Sequence, residues 1–242
     1  NIALTEYGVA LQEALTPVLK TLHQIPNQLQ QLAQERETTI RLNVLAASTL
    51  VTQALISYKK DHDGLNFQLF QNSQCEDADI TVFTRENFQI PAGNKDRYEL
   101  FKERIFLAVP ADSPYASEES VRLKDFAHQD FISLSGSRSI RTICDRYCMQ
   151  AGFVPHIIYE SDSPDTVKNL IASGLGVGFW PHYTWSTDSM EQIRLMPIAE
   201  PTCQRAIILQ LHRHARVQEA VCSFYAFLNR YLRQLKAAEK TG

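Results

Sequence analysis

From residue 38 onward, short apolar runs alternate with stretches whose apolar residues recur at helical spacing, and this alternation constrains the fold more than any single motif. "IRLNVLAA" reads as a strand, and "STLVTQALISYKKDHDG" as a helix with Leu50, Ala54, Leu55 and Tyr58 inward. "LNFQLFQ" and "ADITVF" follow as strands. Strands alternating with helices imply a largely parallel sheet and an α/β class. "YELFKERIFLAVPADSPYA" is a long strand ended by prolines, a natural exit from one domain. "FISLS", the helix "SIRTICDRYCMQAG" closed by Gly152, and the strand "VPHIIYES" come next, and "IRLMPIA" and "RAIILQLH" precede a last helix, "RVQEAVCSFYAFLNRYLRQLKAA". The pattern predicts two small α/β lobes. The runs around Val109 and Ile208 bridge them, so the chain crosses twice and the last helix returns to the first lobe. The expected boundaries are residues 1–37 for an N-terminal helix, 38–110 with 203–242 for the first lobe, and 111–202 for the second.

Three of the nine glycines, Gly174, Gly176 and Gly178, fall within "NLIASGLGVGFWPHYTW". A phosphate-holding loop follows a strand and opens a helix; here the order is reversed. Ser163 caps a helix, Pro164 fits its first turn, Asp165 suits its dipole, and Val167, Leu170 and Ile171 share a face. Gly174 stands where that helix stops, and "LGVGFW" reads as a buried strand ended by Pro181. The glycines make a close-packed joint between helix and strand.

Ahead of the lobes, Leu11, Leu15, Val18, Leu22, Ile25, Leu29 and Leu32 are spaced alternately by four and three. That is a heptad seam on a helix capped by Thr5, and so narrow a stripe calls for a partner helix. Pro17 and Pro26 oppose a continuous helix, and Thr16–Pro17 could restart it. A helix packed only on its own chain is the alternative to self-association.

A net charge of −3 argues against nucleic-acid binding through the electrostatics of these residues. No apolar run approaches the ~20 residues of a membrane span, and no secretory signal opens the sequence, so a cytoplasmic setting without membrane contact is expected. Five cysteines show neither a C-x-x-C pair nor zinc spacing, and Cys144 and Cys148 share the apolar face of their helix as core thiols. There is no G-x-S-x-G elbow and no H-E-x-x-H, and His212 and His214, two apart, suit solvent better than a metal. Neither catalysis, nor a metal, nor a cofactor is expected.

"ALTEYGVALQEALTPVL" resembles the end of the winged helix-turn-helix of LysR-type transcriptional regulators where it enters the linker helix. "DADITVF", "FKERIFLAVPADSPYA" and "CMQAGFVPHIIYESDSPDTVKNLIASGLGVGFWP" resemble successive landmarks of that family's effector domain. The likeness covers nearly the whole chain. It implies a two-lobe, periplasmic-binding-protein-like effector domain behind a dimerising linker helix, with residues 1–8 as the tail of the DNA-binding domain. Promoter DNA would be read by helices preceding Asn1, in a homodimer or homotetramer, with RNA polymerase as a further contact. One departure is that the family's helix between "NFQLFQN" and "DADITVF" is reduced here to "SQCE", around Gln74.

The resemblance places a small-molecule effector between the lobes. From the first lobe it implicates Ala47, Ser48, Thr49, Leu50 and Thr84, with Ser48 also a good helix cap. From the second it implicates Ser135, Gly136, Ser137, Arg138, Ser139, Ser161 and Asp162. Helix starts and Arg138 would favour an anion, with Asp162 ordering the turn and Phe179 and Trp180 forming either an aromatic wall or plain core. In peroxide-sensing relatives the reactive thiol sits where this chain has Ser139, and only Cys148 matches its partner. The expected function is a ligand-responsive bacterial transcription regulator; a stand-alone two-lobe solute-binding protein is the rival.

Overall fold

A computed structural model describes residues 4–71, 75–136, 138–185 and 191–238. Ser137 and Gln74 lie outside the described residues, as does the side chain of Leu32. Helix α1, Glu6–Thr38, starts at Thr5, whose hydroxyl accepts a hydrogen bond from the Gly8 amide at 3.2 Å. It runs unbroken through Pro17 and Pro26, so the helix does not restart at Thr16. Each proline removes one amide donor, but residues 9–30 are all exposed, and water can serve the carbonyls that lose a partner. Among the described residues the stripe lies open: Leu11, Leu15, Val18, Leu22, Ile25 and Leu29 are 40–61% exposed.

The first lobe begins with β1 (Thr39–Val44), α2 (Ser48–Lys59), β2 (Asn66–Phe70) and β3 (Ile80–Arg85), with β1 parallel to both neighbours. The long strand β4 (Arg97–Pro110) then leads through a short β5 (Val121–Arg122) into β6 (Asp130–Leu134), α3 (Ser139–Gln150), β7 (His156–Ser161), α4 (Pro164–Ala172) and β8 (Gly178–Pro181). Strands β9 (Ile193–Glu200) and β10 (Gln204–Leu211) bring the chain back, and α5 (Glu219–Ala238) follows. The main sheet is ordered β2-β1-β3-β10-β4-β9-β5, with β8 also on β4 and a separate β6-β7 pair. It is mixed rather than largely parallel, because β4 and β10, the two crossing strands, run opposite ways and pair with each other. No described helix is long and apolar enough to cross a membrane.

Two cores result. The first joins Ile40, Leu42, Ile80, Val82, Ile207 and Leu209 of the sheet to Val51 and Ala54 of α2 and Val221, Phe224 and Leu228 of α5. The second gathers Leu107, Val109, Phe131, Ile171 and Trp180 with the inner face of α3. Phe101 serves the first core and Ile105 onward the second, so β4 changes lobes near Arg104, ahead of the prolines that suggested residue 110. On the return the change falls between Cys203 and Ile207.

The glycine joint is close-packed. Gly174 closes α4 with φ +78°, a conformation that costs other residues about 1–2 kcal/mol. A Cβ on Gly176 would stand 2.6 Å from the Asp130 carbonyl oxygen, and one on Gly178 2.6 Å from Ile171 Cδ1. Between β2 and β3 no helix occurs among the described residues, which leaves β2 as a partly exposed edge.

Candidate functional site

Strand ends and helix starts of both lobes meet around a cavity of about 310 Å³. Its walls are the first residues of three helices: Ala47, Ser48 and Thr49 at α2, Arg138 and Ser139 at α3, and Ser163, Pro164 and Asp165 at α4. Amide N–H groups of a helix start lack partners within the helix and carry the positive end of its dipole.

Several expected residues stand on this wall, but not always in the expected role. Ser48 is the first residue of α2 rather than its cap; the cap position is Ala47, with φ 57° and ψ 34° and no capping side chain. Ala47 is the one non-glycine residue with positive φ among those described. It turns the chain sharply out of β1, where the amides of Leu45 and Ala46 both donate to the Val82 carbonyl. Thr84 lines the cavity while its hydroxyl donates to the Ala206 carbonyl at 2.9 Å, fastening β3 to β10. Arg138 donates through Nη2 to the Asp162 carbonyl at 3.1 Å, which holds its guanidinium beside the cavity.

Asp162 also lines the cavity, whereas the other described candidates lie elsewhere. Leu50 is 5% exposed and belongs to the first core, one residue further round α2 than the cavity wall. Ser135, Gly136 and Ser161 are not on the wall: the Ser135 amide bonds to the Ser161 carbonyl, and the Ser161 hydroxyl accepts from the Ser163 amide, so both serve the turn ahead of α4. Trp180 is fully buried; Phe179 stacks on Phe131 in the second core, and neither lines the cavity.

Among the lining residues that sequence reading missed are Gln71, Lys168, Thr184, Trp185 and Arg205. Arg205 is 4% exposed and its Nε lies 2.7 Å from Oε2 of the fully buried Glu103. Its Nη2 donates to the Thr184 hydroxyl at 2.6 Å, and Glu103 Oε1 accepts from the amides of Tyr183 and Thr184. One carboxylate thus ties β4, β10 and the loop after β8 at the crossing between lobes. Two further ties cross there: Arg146 of α3 pairs with Glu86 after β3, and the Tyr147 hydroxyl exchanges hydrogen bonds with the Gln204 backbone at 2.8 and 3.1 Å.

Of the two histidines, His214 is exposed as expected and His212 is not. His212 is half-buried, 2.8 Å from the Thr81 hydroxyl, and stacks on His214; burial lowers its pKa against the opposing pull of Asp96.

Cys144 and Cys148 are buried, and burial pushes the Cys148 thiol up to about 12 and Cys144 well above its ordinary value. Peroxide attacks the thiolate, which these sites disfavour. Mild peroxide on the native protein is therefore expected to leave both thiols countable after denaturation; a rapid Cys144–Cys148 disulfide would contradict this.

Residues 33–233 match the family described as LysR substrate binding domain. Relatives include the HTH-type transcriptional regulator YybE of Bacillus subtilis (strain 168), 26% identical over 86% of this chain and 73% of its own length. The transcriptional dual regulator GltC of the same organism is 23% identical over 98% of this chain and 81% of its own. Among solved structures, the regulatory domain of Synechocystis PCC6803 CcmR superposes with a TM-score of 0.68 at 15% identity, covering 79% of this chain and 96% of that one. A family match over most of the chain, joined to two lobes around a shared cavity, places it: the chain belongs to the LysR substrate-binding domain family, the effector-binding part of ligand-responsive transcription regulators.

Proposed function

We propose that the cavity between the lobes binds a small anionic metabolite and that its occupancy is passed through subunit contacts to DNA-binding domains. The observation carrying this reading is the convergence of three helix starts, from both lobes, on one cavity that Arg138 also lines. Such starts favour negative charge. The CcmR regulatory domain was solved in complex with 2-PG, a small ligand on the same fold. Effector binding acts as a population shift: the ligand must prefer one arrangement of lobes or subunits, and its differential affinity sets the size of the response. Homodimers or homotetramers joined along α1, promoter DNA and RNA polymerase complete the proposed set of partners. The lobe assignment follows the two cores, with the functional division at the β4 and β10 crossings.

The test is a thermal-shift screen of metabolite carboxylates, amino acids, neutral sugars and amines, followed by titration of the hits. Arg138→Ala should weaken an anionic hit roughly tenfold to a hundredfold, the worth of one charge-assisted hydrogen bond of ~1.5–3 kcal/mol. Ser48→Ala should cost less, since a neutral hydrogen bond contributes ~0.5–1.5 kcal/mol. A cationic hit, or an anionic one indifferent to both substitutions, would show that the site or its polarity is wrongly placed.

A further inference from the structure

Three cations line the cavity, and their counter-charges differ. Arg205 is matched by Glu103, which is itself fully buried and bonded to two backbone amides, so no ligand can displace it without stranding a charge. Arg138 is held to a backbone carbonyl beside the cavity. Lys168 is different. Its side chain is 11% exposed, yet its ionic partner Asp165 is 85% exposed and sits at 3.3 Å, one turn earlier on α4. Its ammonium lies 5.5 Å from the Trp180 ring centre and 5.8 Å from that of Trp185, and Trp185 is itself on the cavity wall.

Lys168 stands at the middle of α4, and burying its ammonium costs hydration. Two indole faces and one weakly held surface carboxylate return part of that cost. An ammonium has three N–H donors, of which Asp165 engages one. From this geometry we infer that Lys168 is the effector's anion anchor: the ligand's carboxylate or phosphate displaces Asp165 from the Lys168 ammonium, against the Trp185 face of the cavity. This rests on the cleft reading above and adds the group that sets its charge specificity. Asp165 then acts as an internal competitor, neutralising Lys168 in the empty site and turning to solvent in the filled one. The class of ligand is a small anion with an exposed carboxylate or phosphate oxygen; amines and neutral sugars lack the charge needed to compete.

The protein has two tryptophans, and both lie against this ammonium, so intrinsic fluorescence reports on the site directly. The experiment titrates succinate and, separately, inorganic phosphate into the whole chain at fixed ionic strength, following tryptophan emission, with choline chloride as the cation control. A saturable change is expected with the anions and none with choline. Lys168→Met should weaken binding about tenfold or more, as for loss of a charge-assisted bond. Asp165→Asn, a surface change that removes the competitor, should tighten it roughly two- to fivefold, the scale of an exposed ion pair. A melting curve for Lys168→Met separates misfolding from lost binding, and the Asp165→Asn arm stands without it. The inference is overturned by wild-type emission that ignores both anions, by equal affinity in Lys168→Met, or by weaker binding in Asp165→Asn. Anion binding that depends on Arg138 and not on Lys168 overturns the anchor and leaves the cleft reading standing, whereas anion binding that ignores both residues overturns the cleft reading too.

Discussion

Replacing Glu103 with alanine is expected to destabilise the protein by about 3–5 kcal/mol, the range for removing one partner of a buried ion pair. Three groups lose their acceptor together: the Arg205 guanidinium and the amides of Tyr183 and Thr184. Arg205, at 4% exposure, cannot reach water without opening the crossing between lobes. Urea denaturation read by circular dichroism supplies the measurement. The pair Glu103→Ala with Arg205→Met should recover part of the loss, because it removes the stranded charge while the two amides still lack their carboxylate. Equal stability in the double and single variants would mean that the backbone bonds, rather than the ion pair, dominate. A single variant within about 0.5 kcal/mol of wild type, as for an ordinary surface change, would place Glu103 outside the structural centre of the molecule.

The second large effect concerns assembly. Leu15, Leu22 and Leu29 lie at alternate positions of a stripe that is open along α1, with exposures of 44%, 54% and 61%. Exchanging all three for aspartate places six like charges in the seam of a paired helix and removes its apolar contacts, so the dimer expected from the heptad pattern should become monomeric at micromolar concentration. Sedimentation velocity reads this directly. A dimer that persists unchanged means that the seam is not the interface. Contacts between effector lobes could hide the effect, and deletion of residues 1–36, analysed the same way, separates the two contributions.

The element order was legible in the sequence because its apolar periodicity switches between strand and helix, and two helices carry their own punctuation: Thr5 and Ser163 do cap their helices, and Gly174 ends α4, whereas α2 has no capping side chain. What misled was the assumption that turns mark lobe boundaries. Pro110 ends β4, but the strand had already passed into the second core near Ile105, since a strand can traverse two cores without any local signal. At the site, chain position identified the helix starts well and the side chains poorly. Leu50 follows the cavity residues in sequence, yet the helical turn carries it into the core. Glu103 stands between Lys102 and Arg104, and Arg205 follows Gln204 at the start of β10, so no local signal marks either as buried; only the register of β4 against β10 shows that they face each other. Nothing in the sequence around Lys168 marks it as buried, because Trp180 and Trp185 reach it from beyond the glycine joint.

The crossing strands have a mechanical consequence. β4 and β10 are hydrogen-bonded neighbours from Arg97 opposite Leu211 to Arg104 opposite Gln204, and the Ile105 amide continues the ladder to the Cys203 carbonyl. Two strands clamped side by side behave as a flat leaf spring. Sliding one past the other would break the ladder in register, whereas flexing both together about a line across the ribbon near Arg104 and Gln204 only strains backbone torsions. The crossing strands therefore resist sliding more than flexing, with Glu103 and Arg205 tied beside the line of flexure. An occupant of the cavity, as proposed above, would therefore act on the angle across this ribbon rather than on the register of its strands.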